Sequence, residues 1–213
     1  MAAKMKERDF KKRWSELHGD ADVMGIVDAW LSISYQAARI CSALRISPNV
    51  LTLLGLGTAV AMVFTQNSLG GLLCLVISLF FDGIDGSVAI YQGRENPMGG
   101  LYDSVADRIS EACWLYIGYR IGIPAWVVLS MWTIATVQEY ARARLASLGH
   151  SEIGVVTPTE RPVRASFMAI ELVLFSLALP GIEILSYLFL ALLLYSFLKV
   201  MRAAYRMLDK ASL

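Results

Sequence analysis

The chain has 213 residues, 56% of them hydrophobic, and a formal net charge of +1 at pH 7. With a mean hydropathy of +0.55 and its apolar residues in long runs, it is too apolar for an ordinary soluble domain of this size. A membrane protein is therefore expected ahead of a soluble helical bundle, with the lipid bilayer as a partner and no nucleic acid.

Charge placement carries more information than the total. Basic residues crowd the start (Lys4, Lys6, Arg8, Lys11, Lys12, Arg13) and the end (Lys199, Arg202, Arg206, Lys210). The polar N-terminus has no short apolar run with a small-residue cleavage site, so a cleaved signal peptide is not expected. Cys41, Cys74 and Cys113 share no close spacing and read as buried free thiols. His18 and His150 stand alone in polar stretches and offer no ligand pair.

In chain order, residues 1–21 form a polar, basic segment. Over 22–45, Val23, Ile26, Val27, Trp30, Leu31 and Ser34 recur at helical spacing, interrupted by Asp22, Asp28, Gln36 and Arg39. That pattern predicts an amphipathic helix lying along a membrane surface. Ser47-Pro48 reads as a helix start, with proline in the first helical position. Six stretches then approximate the ~20 apolar residues that span a bilayer: 48–66, 70–91, 98–121, 124–146, 163–180 and 182–204. Turn formers separate several of them, at Asn67 to Gly71, Gly93 to Pro97, Gly122 to Pro124 and Pro180-Gly181. The expected fold is an all-α integral membrane protein. Its domain, 46–206, holds six transmembrane helices preceded by the amphipathic juxtamembrane helix and followed by a tail, 207–213. Six spans place both termini on one side with the connections near 92–97 and 147–162, together with Arg94, Arg142, Arg144, Arg161 and Arg164. The positive-inside rule puts that side in the cytoplasm and the chain in the cell membrane.

The decisive stretch runs Asp82-Gly83-Ile84-Asp85-Gly86-Ser87-Val88-Ala89, then Gly99-Gly100-Leu101-Tyr102-Asp103-Ser104-Val105-Ala106-Asp107. Asp82 and Asp85 are three apart and Asp103 and Asp107 four apart, so each pair lies on one face of its helix. The short connection at 92–97 makes the two helices antiparallel neighbours. An ionisable group within a membrane span costs at least about 2.5 kcal/mol, so four uncompensated carboxylates would oppose insertion. Neither span has a lysine, and Arg108, adjacent to Asp107, is turned away from the Asp103 face. Hard divalent cations favour carboxylate oxygens, and Mg²⁺ commonly pairs with phosphate substrates. One or two Mg²⁺ or Mn²⁺ ions holding a diphosphate are therefore the expectation. Gly83, Gly86, Gly99 and Gly100 remove side-chain bulk, which admits a large ligand or a neighbouring helix. A proton or cation pathway, or a structural pairing, is the competing reading of intramembrane carboxylates.

These residues resemble the signature of the CDP-alcohol phosphotransferase family: D-x-x-D-G-x-x-A-R, eight residues, then G-x-x-x-D-x-x-x-D. Asp82, Asp85, Gly86, Ala89, Gly99, Asp103 and Asp107 fall in register over 26 residues. One position departs: Ile90 stands where the family has an arginine that helps hold the donor. Arg94, four residues on, would substitute from the same helical face if the helix persists. The resemblance implies that Asp82, Asp85, Asp103 and Asp107 bind two metal ions, and that Asp107 is also the general base. It places donor contacts at Ser47, Pro48, Asn49, Val50, Gly86, Ala89, Asn96 and Gly99. A homodimer is a further expectation, since homodimers occur in the family.

A narrower likeness joins Tyr140-Ala141-Arg142-Ala143-Arg144 and Glu160-Arg161-Pro162-Val163-Arg164 to the phosphatidylinositol-phosphate synthase branch. It implies a basic acceptor pocket of Arg142, Arg144, Arg161 and Arg164, although the branch has lysine at the position of Arg142. Arg161 and Arg164 share a face near a helix N-terminus, a natural anion site, whereas Arg142 and Arg144 point in roughly opposite directions. Positive-inside anchoring explains any single one of these arginines equally well. Glu171, seven residues from Arg164, would orient it. The expected function is metal-dependent transfer of a phosphatidyl group from CDP-diacylglycerol to inositol phosphate, releasing CMP. Glycerol phosphate as acceptor and CDP-inositol as donor are alternatives with the same chemistry. A cation transporter is the rival class; against it, the polar residues cluster in the cytoplasmic parts of their spans and no polar trail crosses the bilayer.

Overall fold

The computed structural model describes residues 5–149 and 156–211; Lys4 and His150 lie outside the described residues. Among the described residues the fold is wholly helical: α1 (Glu7–Leu17), α2 (Gly25–Ala43), α3 (Pro48–Val63), α4 (Ser68–Gln92), α5 (Pro97–Arg120), α6 (Ala125–Ser147), α7 (Arg161–Ser176) and α8 (Ile182–Ala211). The chain divides into two compact units, Met1–Ala61 with Val76–Ser110 and Met62–Leu75 with Glu111–Leu213.

In the first unit, α1 is a helix that the polar composition of 1–21 concealed. Glu7 and Asp9 occupy its first turn, where carboxylates complement the helix dipole. Glu7 and Lys11 pair at 3.0 Å one turn apart. Its one buried side chain, Phe10, packs with Leu31, Tyr35 and Ile90. Lys11 also reaches Asp28 at 2.6 Å and Ser32 at 2.8 Å, fixing α1 on α2.

A helix, α2, stands within the stretch 22–45, and it has two apolar faces. Leu31, Ser34, Tyr35, Ala38 and Cys41 are buried, while Ile26, Ile33, Ile40 and Leu44 are exposed. The α2–α3 corner turns through Arg45 in the left-handed region (φ 58°), with Ile46 N–H closing on Cys41 O at 2.8 Å. Gln92 Nε2 donates to Ile46 O at 2.8 Å and holds the corner against the end of α4. Pro48 opens α3, as its residue type predicts. Gly55 lets α3 approach α4 closely: Ser78 Oγ donates to Gly55 O at 2.8 Å, and a Cβ on Gly55 would stand 3.2 Å from Ser78 O.

In the second unit α8 packs on α6 and α7. Helix α7 stops at Ser176, four residues short of the stretch read from apolarity. Ala178 adopts φ 52°, and Leu179 N–H bonds Leu174 O at 2.9 Å in a helix-ending turn ahead of Pro180. Arg120, at the end of α5, donates to Val63 O at 3.0 Å and Thr65 O at 2.9 Å. The thiols of Cys41, Cys74 and Cys113 are free.

Helices α3 to α8 stand where the six apolar stretches lie. By length and composition alone, two helices suffice to cross a membrane: Ser68–Gln92 and Ile182–Asp209. The number is three if α2 and α3, bent by 109° at their break, count as one span. The others fall short for physical reasons. Helices α3 and α7 have 16 residues each, about 24 Å of rise against a hydrocarbon core of about 30 Å. Helix α5 carries Asp103, Asp107, Arg108 and Glu111, and α6 carries Glu139, Arg142 and Arg144.

The Gly55 contact yields a paired expectation. Gly55→Leu should lower the thermal midpoint of the detergent-solubilised protein by forcing α3 from α4. Gly57→Ala, whose added Cβ meets nothing within 4 Å, should leave the midpoint unchanged or raise it.

Candidate active site

The first unit contains a cleft of about 380 Å³ bounded by the ends of α1, α3, α4 and α5. Asp82, Asp85, Gly86, Ala89 and Ile90 come from α4, Pro48, Asn49 and Thr52 from α3, and Gly99, Gly100 and Asp103 from α5. The four-residue connection between α4 and α5 is shaped by local chemistry. Gly93 takes φ 61°, its N–H bonds Ile90 O at 3.1 Å, and Arg94 N–H bonds Ala89 O at 2.9 Å. Asn96 then caps α5, its Oδ1 accepting from Gly99 N–H at 2.8 Å, ahead of Pro97 in the first helical position.

Carboxylate oxygens of Asp82, Asp103 and Asp107 lie within 4.8 Å of one another. Three acidic oxygens at that separation form an all-oxygen donor set suited to a hard divalent cation. Asp85 is outside this group of three. It is buried in the same cleft and accepts a hydrogen bond from Thr52 Oγ1, one turn into α3. Arg108 Nη2 pairs with Asp107 Oδ2 at 4.0 Å. The glycines divide their work. A Cβ at Gly83 would stand 2.7 Å from the Trp30 ring, so Gly83 admits a neighbouring helix. A Cβ at Gly86 or Gly100 meets nothing within 4 Å, so these positions leave the cleft open.

Of the donor positions, Pro48, Asn49, Gly86, Ala89, Arg94, Asn96 and Gly99 line the cleft, whereas Ser47 and Val50 do not. Arg94 reaches it by a route other than helical periodicity. Helix α4 ends at Gln92, and the left-handed Gly93 redirects the chain before Arg94.

The four arginines read as an acceptor pocket all belong to the second unit. Arg142 grips Glu160 with two hydrogen bonds, at 2.9 and 2.8 Å. Arg164 is buried, bonded through Nε to Glu111 and through Nη1 to Thr159 O at 2.8 Å, with Glu139 at 3.5 Å. The Arg161 guanidinium lies 5.2 Å from the centre of the Trp114 ring. Arg144 is exposed and contacts Ser147. Glu111 and Glu139 thus orient Arg164, while Glu171 instead accepts from Ser186 Oγ at 2.7 Å. Burial pushes the Glu160 carboxyl up, but hydrogen bonds from Arg142 and from the Thr157 N–H and hydroxyl outweigh it. The carboxyl is held at about 2, below its ordinary 4.5.

Residues 45–201 match the family model of the CDP-alcohol phosphatidyltransferases. The chain belongs to this family. It is 32% identical over 120 residues to the archaetidylinositol phosphate synthase of Aeropyrum pernix, covering 55% of this chain and 62% of that protein. It is 29% identical over 177 residues to the phosphatidylinositol phosphate synthase of Corynebacterium glutamicum, covering 77% of this chain and 76% of that one. The crystal structure of Mycobacterium tuberculosis phosphatidylinositol phosphate synthase with manganese and citrate superposes with a TM-score of 0.70 at 20% identity. It covers 81% of this chain and 88% of that one. The same enzyme with CDP-DAG bound gives 0.64 at 22% identity, covering 82% and 92%. These structural likenesses establish the fold.

Within this CDP-alcohol phosphatidyltransferase chain, several site residues escaped the motif. Thr52 carries no signal beyond its place four residues after Pro48. Glu111 continues the four-residue spacing of Asp103 and Asp107, and Thr157-x-x-Glu160 ahead of Arg161-Pro162 marks a helix start; both signals were legible.

Thr52→Val removes the hydrogen bond that orients Asp85. It should weaken Mn²⁺ binding by about 10–100-fold in calorimetric titration, as loss of an orienting partner does at other metal sites. Because the folded Glu160 titrates below its unfolded value, its stabilisation is full above about 4.5 and is lost as pH falls toward about 2. Glu160→Gln should therefore denature at a lower temperature than wild type at pH 7. The difference should shrink as pH falls through that interval.

Proposed function

We propose that this chain transfers a phosphatidyl group from CDP-diacylglycerol to inositol phosphate, releasing CMP. The observation that carries the proposal is the convergence of Asp82, Asp103 and Asp107, the first two of which line a cleft together with Asp85, Asn49, Gly86 and Asn96. The names of the relatives support the acceptor more than the lipid, since they share an inositol phosphate product and differ in the lipid attached to it. The manganese and the CDP-DAG of the mycobacterial structures support the metal and the class of donor.

In this reading Asp82, Asp85, Asp103 and Asp107 hold two Mg²⁺ or Mn²⁺ ions. The metal supplies Lewis-acid neutralisation of the diphosphate and makes CMP a workable leaving group. The chain's residues do the rest. Ser47, Pro48, Asn49, Val50, Gly86, Ala89, Arg94, Asn96 and Gly99 seat the donor. Asp107 accepts the proton of the acceptor hydroxyl, whose oxygen forms a bond to the phosphorus bearing the lipid. The bond from that phosphorus to CMP breaks. Arg142, Arg144, Arg161 and Arg164 take the acceptor's phosphate, with Glu160, Glu139 and Glu111 setting the orientation of two of them. Bidentate, planar guanidinium groups suit a phosphate dianion.

The domain extends over 46–206, with α3 to α8 as six spans. Helix α2 lies on the membrane surface, where its exposed Ile26, Ile33, Ile40 and Leu44 enter the lipid boundary. Both termini and the site face the cytoplasm, and the chain works as a homodimer in the cell membrane.

Purified protein with CDP-diacylglycerol, Mg²⁺ or Mn²⁺ and inositol phosphate should release CMP. Unphosphorylated inositol should give little. Asp107→Asn should reduce the rate by about 10²–10⁴-fold, the contribution of a positioned base. No CMP with any phosphorylated polyol would sink the assignment of acceptor, and metal-stimulated ion flux without CMP release would favour a transporter.

A further inference from the structure

The cleft has a wall that the motif does not supply. Trp14, Leu17 and His18 at the end of α1 line it, together with Trp30 of α2. The His18 ring stacks on Trp14 with centroids 4.0 Å apart and planes 18° from parallel, and its Nδ1 lies 2.8 Å from Trp14 O. Trp30 is laid against Gly83, the residue that follows Asp82. The cleft thus combines a group of carboxylates with a group of aromatic faces.

Helix α1 is held there at three places. Phe10, fully buried, shares an apolar cluster with Ile90, the one position where the motif departs from its arginine. Lys11 is tied to Asp28, Glu7 and Ser32. Arg13 donates to Glu95 at 3.1 Å, in the connection that carries Arg94 and Asn96. Beyond His18, Asp20 N–H closes on Ser15 O at 2.9 Å and Ser15 Oγ donates to Ala21 O at 2.7 Å, so the end of the helix is fixed. Seven of the 11 residues of α1 are charged, which places it in water. The wall therefore faces the polar head of a ligand and not its acyl chains.

We propose that α1 is a resident wall of the nucleotide site, seated on Ile90 through Phe10, with Trp14 and His18 packing against the pyrimidine base of the donor's cytidine. This rests on the transferase reading above. A flat heterocycle has a π-face that any aromatic wall can cover, and loss of one such contact typically weakens binding by about tenfold or more. An arginine at position 90 would bring a charge into the apolar seat of Phe10, so isoleucine there and a docked α1 are parts of one arrangement.

The test compares two ligands that share a diphosphate, of which one alone carries the cytidine. Full-length protein in detergent with Mg²⁺ is titrated calorimetrically with CDP and with inorganic pyrophosphate. Trp14→Ala should raise the Kd for CDP about tenfold and leave that for pyrophosphate unchanged. Trp14→Phe should restore CDP binding, and His18→Ala, at an exposed position, should weaken CDP alone. The proposal is overturned if Trp14→Ala and His18→Ala both bind CDP as wild type does, or if both ligands are lost together. Wild type that binds neither ligand would instead overturn the transferase reading.

Discussion

Carboxylates placed in apolar helices are the constraint around which the first unit is organised. An ionisable group costs on the order of 2.5–3.5 kcal/mol where its helix crosses a membrane. Asp82, Asp103 and Asp107 bring their oxygens within 4.8 Å of one another, where like charges repel. Such a group of oxygens suits a hard divalent cation. The surrounding details serve that end. Thr52 orients Asp85, the Gly93 turn and the Asn96 cap fix the separation of α4 from α5, and Gly86 leaves the cleft open.

The second unit meets a related cost with the opposite sign. Arg164 is removed from water and would be untenable alone; Glu111, Glu139 and the Thr159 carbonyl surround it. Arg142 is held by Glu160 in a two-point clasp. These partners hold both guanidinium groups in fixed orientations.

What the sequence disclosed and what it withheld follow from the range of the interactions. The aspartates were legible because spacings of three and four residues act within one helix, and the helices because apolar runs are local. Pro48 marked a helix start by its residue type, whereas the capping role of Asn96 went unread. Partners distant in sequence were not legible: Thr52 with Asp85 is a pairing across 33 residues and Arg164 with Glu111 one across 53. Helix α1 was overlooked although Phe10, Trp14 and Leu17 recur at helical spacing, because its many charged residues keep the stretch polar on average. Its stability comes from the seat of Phe10 and the ion pairs of Lys11. Helical extrapolation from Ile90 to Arg94 failed for a single backbone reason, the left-handed glycine between them.

The tight connection between α4 and α5 also bears on how the protein is made. Asp82 to Asp107 lie in one continuous hairpin of 26 residues, so the acidic cluster needs no contact with chain synthesised later. Contacts this local close early, because little loop entropy opposes them. The hairpin can thus adopt its paired form while α6 to α8 are still to emerge from the ribosome. Capture of a cation by the nascent hairpin would stabilise it in proportion to the ion's affinity, making metal supply a factor in biogenesis as well as in turnover.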